Sequence, residues 1–202
     1  MAKPYNLTGI SWHIDNNVLT KSSAETLRGL FEHGWVLLTI SSIIEVEHLD
    51  ATSKQDAARL EESRAPFFTS FAPLVLDHSI LGKSVLAADI DEERIVKVHK
   101  AIWPASNLES DRMSPNRRSM GRSRFRDSLI VAHAIRDIAS ALVTDDLRVL
   151  SANERIRMEF PNFKVISIKA ATDLALARVE KVRRLAKGDS KSRSGTRLPD
   201  WP

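Results

Sequence analysis

Apolar residues in this chain fall into two patterns: short continuous runs, and longer stretches in which they recur every three or four positions. That alternation is the mark of strands exchanging with amphipathic helices. Ile10 to Ile14 predicts a strand, and Asp15-Asn16-Asn17 predicts a turn after it, since Asx side chains bond nearby backbone. Ser22 with Glu25 three residues on has the form of a capping box, opening a helix to about His33 with Gly34 as its stop. Trp35 to Ile40 reads as a strand covered on both faces, and Ser41 or Ser42 as the cap of a second helix. Strand, helix, strand, helix implies parallel pairing with right-handed crossovers.

The middle of the chain, about 60 to 125, is less regular: a break at Pro66, an apolar run Leu74 to Leu76 ending in Asp77-His78, and a helix from Asp91 to Trp103. Ser106 to Ser123 reads as a polar, arginine-rich loop. A helix follows in which Ile130, Val131, Ala134, Ile135 and Ile138 share one face. Ala141 to Thr144 is a third buried strand, Leu147 to Met158 a helix, Phe163 to Ile168 a strand, and Ala170 to about Lys187 a last helix. The expected organisation is one domain over 1–187 and a basic tail, 188–202, too poor in apolar residues to fold. No internal repeat and no glycine-rich phosphate loop is present.

Composition changes this picture in three places. A chain of 202 residues buries about 70% of its unfolded surface, so a core needs no staples, and the absence of cysteine excludes disulfides, thiol nucleophiles and cysteine-based zinc sites. No apolar stretch approaches the roughly 20 residues that a bilayer demands, so the expectation is a soluble, cytoplasmic protein with no membrane partner. The net charge of +4 is concentrated at the C-terminal end, where residues 178–202 carry eight Lys or Arg against Glu180, Asp189 and Asp200. A second basic run, Arg112, Arg117, Arg118, Arg122, Arg124 and Arg126, contains no acid until Asp127. Such runs are either solvated surface or attractors of polyanions.

The acids pose the chemical question. Asp127 lies at the centre of the apolar face of its helix, where it is either an N-cap or a ligand to a cation. In the helix after Ser42, Glu47 falls about 40° from the apolar direction set by Ile43, whereas Glu45 falls about 200° away and suits a capping box. Asp15 follows the first strand, and Asp145-Asp146 follow the third. Carboxylates gathered beyond the carboxyl ends of parallel strands repel one another unless a cation is present, and all-oxygen ligands select Mg²⁺ or Mn²⁺. Such an ion activates water and neutralises charge at a phosphoryl group.

Four pieces of the chain, in order, carry a family resemblance: Ile14-Asp15-Asn16-Asn17-Val18-Leu19, Ile40-Ser41 with Glu47 six residues on, Asp127-Ser128-Leu129-Ile130-Val131-Ala132-His133-Ala134, and Leu142-Val143-Thr144-Asp145-Asp146. Together they resemble the acidic motifs of PIN-domain nucleases, over residues 10 to about 168 with a looser, longer middle segment. The resemblance implies a PIN-like three-layer α/β/α sandwich with a central, mostly parallel sheet. It also implies endoribonuclease chemistry, with Asp15, Glu47, Asp127 and Asp146 holding one or two Mg²⁺ or Mn²⁺ ions. Asn17 and Thr144 match polar positions flanking the site. Many bacterial members are toxin halves of toxin–antitoxin pairs and form homodimers, which implies RNA and a small antitoxin protein as partners.

Asn16 departs from the Thr or Ser common after the first aspartate, and His48 stands where an apolar residue is usual. The fourth ligand is Asp146 by spacing from Thr144, with Asp145 as helix cap, or the two exchange roles. His13 lies one strand repeat from Asp15, where it either touches substrate or is a satisfied strand histidine. Arg117, Arg118, Arg122, Arg124 and Arg126 are the expected phosphate contacts. Two other classes remain open: a non-catalytic PIN-like module that binds RNA or protein, and a phosphotransferase with an aspartyl nucleophile. The last commonly shows a second aspartate two residues after the first, where this chain has Asn17.

Overall fold

A computed structural model describes residues 6–19, 22–43, 58, 62, 67–73, 84–85, 88–114 and 119–186. The first strand, β1 (Ser11–Ile14), leads into the one-turn helix α1 (Asn16–Leu19) and a 3₁₀ turn at Ser22–Ala24, then α2 (Glu25–Glu32). Next come β2 (Leu37–Ser41), β3 (Phe68–Ser70), β4 (Ala72–Pro73), β5 (Ser84–Val85), α3 (Asp89–Ile102) and α4 (Leu108–Arg112). The last part holds α5 (Met120–Arg136), β6 (Ala141–Val143), α6 (Leu147–Ser151), α7 (Asn153–Glu159), β7 (Lys164–Ile166) and α8 (Ile168–Leu185).

The central sheet has the order β3-β2-β1-β6-β7 and is parallel throughout. Its strands are short and apolar because both faces are covered, giving an α/β sandwich of three layers. Helices α2 and α8 pack on each other, while α3, α4 and α7 pack around α5 or its neighbours. Trp12, Ile14, Leu38, Ile40, Leu142 and Val143 fill the sheet at 3% exposure or less. Chain order runs outward from β1 in both directions, so the switch point lies between β1 and β6. The crevice at the carboxyl ends of those two strands is where such folds place ligands.

Two expectations are corrected. The arginine-rich stretch is not a loop throughout: α4 forms within it, and α5 begins at Met120, capped by the Ser119 side chain accepting from Arg122 N–H. Phe125, Arg122 and Arg126 are buried, and that packing overrides the polar local sequence. The expected helix 147–158 is two helices meeting at Ala152, whose backbone is cap to both. Strands β3, β4 and β5 carry no clear sequence signal, being two or three residues long with Phe68 and Phe71 exposed. The expected second helix beyond Ile43, the Asp77-His78 pair and the 188–202 tail lie outside the described residues.

Helices α2 and α5 end in the same way. At α2, Gly34 N–H reaches Phe31 carbonyl and Trp35 N–H reaches Leu30 carbonyl, with Gly34 at φ 75°. At α5, Ile138 N–H reaches Ile135 carbonyl and Ala139 N–H reaches Ala134 carbonyl, with Ile138 at φ 57°. Both are Schellman closures, but a β-branched residue in the left-handed region is strained where glycine is not. Ile138 follows Asp137 directly and is 88% exposed.

Candidate active site

The exit of β1 and the exit of β6 are tied together by side chains. Asp15 N–H donates to Val143 carbonyl at 2.9 Å, which brings the Asp15 carboxylate beside Thr144. Thr144 Oγ1 donates to Asp15 Oδ2 at 2.6 Å, Asn17 Nδ2 donates to the same oxygen at 2.9 Å, and Asn16 N–H donates to Oδ1 at 2.7 Å. Asn17 Oδ1 in turn accepts from Asp145 N–H at 3.1 Å, so one amide spans both strand exits. Thr144 is fully buried. Burial pushes the Asp15 carboxyl above the usual carboxylate range; the Thr144 and Asn16 bonds oppose that, and the charge of Asp146 adds to it.

Asp146 is the N-cap of α6, its Oδ1 accepting from Arg148 N–H at 2.7 Å and Val149 N–H at 3.3 Å. Asp145 Oδ1 accepts from Ile168 N–H at 3.2 Å, at the start of α8. Capping α6 therefore belongs to Asp146 and not to Asp145, while Asp146 also stands close enough to act on Asp15. Asp127 is half-buried in the third turn of α5, two turns beyond the Ser119 cap. That position excludes the N-cap reading. Glu47 lies outside the described residues.

The basic run divides. Arg122 and Arg126 are each 6% exposed, and Arg122 Nε donates to Ser114 carbonyl. Arg124 makes a two-point pair with Asp111, at 2.8 and 2.5 Å, which also accepts from Ser106. Burial of Asp111 is outweighed by these contacts, which hold its carboxyl below the usual range. Gly121 is required beside this pair, because a Cβ there would stand 2.8 Å from Asp111 Oδ1. Arg124 thus ties α5 to α4 through Asp111, Arg122 bonds the chain just beyond α4, and Arg126 is buried on α5. Arg117 and Arg118 lie outside the described residues.

A second polar group sits on the sheet face beneath α5. His13 and Thr39 are register partners, as are Thr39 with Phe68 and Ser41 with Ser70. His133 from α5 meets this face with Nδ1 2.7 Å from Ser41 Oγ and Nε2 3.2 Å from Ser70 Oγ. His13 Nε2 is 2.9 Å from Asp137 Oδ2. Both imidazoles are buried, and His13 has Asp137 as a partner at Nε2 but none at Nδ1 among the described residues. Sequence reasoning missed His133 and Asp137 as a pair, although their i, i+4 spacing on one helix was visible.

Among the described residues, the one group of three His or acidic side chains whose ligand atoms all lie within 4.8 Å is His13, His133 and Asp137. Asp15, Asp127 and Asp146 are not so close together. Comparison with protein-family models, curated proteins and solved structures finds no match to this chain. Among the described residues, no helix is long and apolar enough to cross a membrane.

Proposed function

We propose that this protein is a metal-dependent endoribonuclease of the PIN-like kind, hydrolysing RNA phosphodiester bonds in the cytoplasm. The observation that carries the reading is the Asp15 carboxylate at the switch point between β1 and β6, half-buried, fixed by three donors and opposed by Asp146. A carboxylate whose charge is disfavoured, beside a second one, suits an all-oxygen donor set for a hard cation. Asp15 and Asp146 would hold Mg²⁺ or Mn²⁺, with Asp127 and Glu47 as the remaining ligands. The ion, when bound, supplies an activated water and neutralises charge on the phosphate. Thr144 and Asn17 orient Asp15 by hydrogen bonds to Oδ2, leaving Oδ1 with the Asn16 N–H as its one donor among the described residues. In the toxin reading, the working form is a homodimer held in check by a small antitoxin protein.

A second reading, a non-catalytic RNA- or protein-binding module, is favoured by the use of Asp146 as a helix cap and of Arg122, Arg124 and Arg126 for internal contacts. The deciding experiment is cleavage of labelled single-stranded and structured RNAs with Mg²⁺, Mn²⁺ or chelator, comparing wild type with Asp15→Asn. Metal-dependent cutting that disappears in the variant supports the nuclease. Salt-sensitive RNA binding without cutting by wild type supports the module.

A further inference from the structure

We infer that His13, His133 and Asp137 form a separate binding site for a divalent transition-metal ion of the zinc type. The three residues come from β1, the body of α5 and the residue that closes α5, and no local motif joins His13 to the other two. Their donor atoms lie within 4.8 Å of one another, with His13 Nε2 at 2.9 Å and His133 Nε2 at 3.4 Å from the same oxygen, Asp137 Oδ2. Tetrahedral zinc with bonds of about 2.0–2.1 Å separates its ligands by about 3.3 Å, which is close to this spacing. Two nitrogens and one carboxylate oxygen form the donor set of open zinc sites, which keep a fourth position for water or substrate.

The surroundings fit that use. Ligating histidines donate their second N–H to a fixed acceptor, and Ser41 Oγ stands 2.7 Å from His133 Nδ1. With that proton on Nδ1, the lone pair of His133 Nε2 faces the Asp137 carboxylate at 3.4 Å, with the Ser70 hydroxyl 3.2 Å from the same nitrogen and also bonded to Asp137. An ion would take the place of that hydroxyl proton between the two. His13 lacks the counterpart of that outer bond, its Nδ1 being buried with no hydrogen-bond partner among the described residues, and its ring packs edge-on against His133 at 5.3 Å between centroids. A cavity of about 460 Å³, lined by His13, Thr39, Phe68, Ser70, Phe71 and Asp137 but not by His133, opens beside two of the three ligands. Cysteine plays no part, so the site is insensitive to thiol oxidation.

The site is independent of the acids around Asp15, and the test keeps the two apart. Full-length protein stripped with chelator is titrated with Zn²⁺ by calorimetry, and with Co²⁺, whose visible absorption reports tetrahedral nitrogen and oxygen ligands. Wild type takes up one equivalent of Zn²⁺ that displaces the Co²⁺ band, and Asp15→Asn does the same. Asp137→Asn, at an exposed helix end, weakens binding at least tenfold, and Ser41→Ala weakens it roughly tenfold through the outer hydrogen bond. Circular dichroism verifies that both variants are folded; His133→Gln is informative only where it passes that check. Equal Zn²⁺ affinity in wild type and folded Asp137→Asn, or no tetrahedral Co²⁺ band in wild type, overturns the proposal. Loss of RNA cleavage in Asp15→Asn with the Co²⁺ band intact leaves it standing.

Discussion

Asp15 and His13 are two residues apart, roughly 7 Å along one strand, yet they belong to two environments with opposite electrostatics. Around Asp15, the partners are hydroxyl, amide and backbone donors, a second carboxylate stands nearby, and burial raises the carboxyl pKa. Around His13, the helix above contributes a neutral imidazole and an acid, and burial is the largest influence on both His133 and Asp137. Asp137 nevertheless stays below the usual carboxylate range, because His13, His133 and Ser70 outweigh its desolvation. One strand thus presents an oxygen-rich crevice at its exit and a nitrogen-rich layer in its interior. The difference teaches that ligand hardness is set by what the opposing element supplies: loop hydroxyls and carboxylates at the strand end, a helix face at its middle.

The comparison breaks most sharply at Asp15. Asp15→Asn is expected to lower RNA cleavage by on the order of 10²–10³, the usual loss when one electrostatic contact to a transition state is removed. Zn²⁺ uptake at the histidines is expected to stay unchanged. Cleavage at the wild-type rate in the variant would remove the oxygen-rich crevice from the chemistry. The same variant is expected to melt higher than wild type in chelator. A carboxyl whose folded pKa is raised binds more protons folded than unfolded, so its charge costs stability as pH rises through that window.

The histidine layer has the opposite sign. His133, at about 4 in the folded protein against 6.5 for an unperturbed histidine, binds more protons when unfolded, so its burial favours folding fully above pH 6.5. That contribution is lost as pH falls from 6.5 to 4. The difference corresponds to about 3 kcal/mol, and denaturant titrations of chelator-treated protein at neutral and at acid pH should show a decline of that order, reduced in a folded His133→Gln variant. A flat profile in wild type would mean that the layer opens to water.

Smaller effects separate capping from ligation. Thr144→Val removes the hydroxyl that donates to Asp15 and accepts from Asp146 N–H, and is expected to cost about 1–3 kcal/mol while raising the Asp15 pKa further. Asp146→Asn keeps a good N-cap and should leave the melting temperature close to wild type, whereas Asp146→Ala should cost about 1 kcal/mol. If Asp146→Asn cleaves RNA as well as wild type, capping is the whole role of Asp146. Ile138→Gly, which relieves the left-handed strain beside Asp137, should stabilise by up to about 1 kcal/mol. An unchanged or lower midpoint would show that the turn carries no such strain.

Much of this architecture was legible in the chain. Ser11–Ile14, Leu37–Ser41, Ala141–Val143 and Lys164–Ile166 lie in short stretches dominated by apolar residues, and such stretches identify buried parallel strands whatever lies between them. Gly34 was legible as a helix stop for a similarly local reason. The start of α5 was not, because Gly121, Arg122, Ser123 and Arg124 have the composition of a loop. They are helical because Phe125 enters the core, Ser119 caps the first turn and Asp111 receives Arg124.

The sites divide along the same line. Sequence alone determined that Asp15 and Asp145-Asp146 follow apolar strands, hence that they stand near strand exits, since period and composition are local properties. Tertiary structure decided that Asn17 and Thr144 meet on the Asp15 carboxylate, that Asp146 caps α6, and that Arg122, Arg124 and Arg126 make internal contacts. It also brought His13 within bonding distance of Asp137, 124 residues away in the chain. Pairing at that separation depends on strand order and helix docking, which arise from the packing of the whole sheet and leave no trace in any local window of residues.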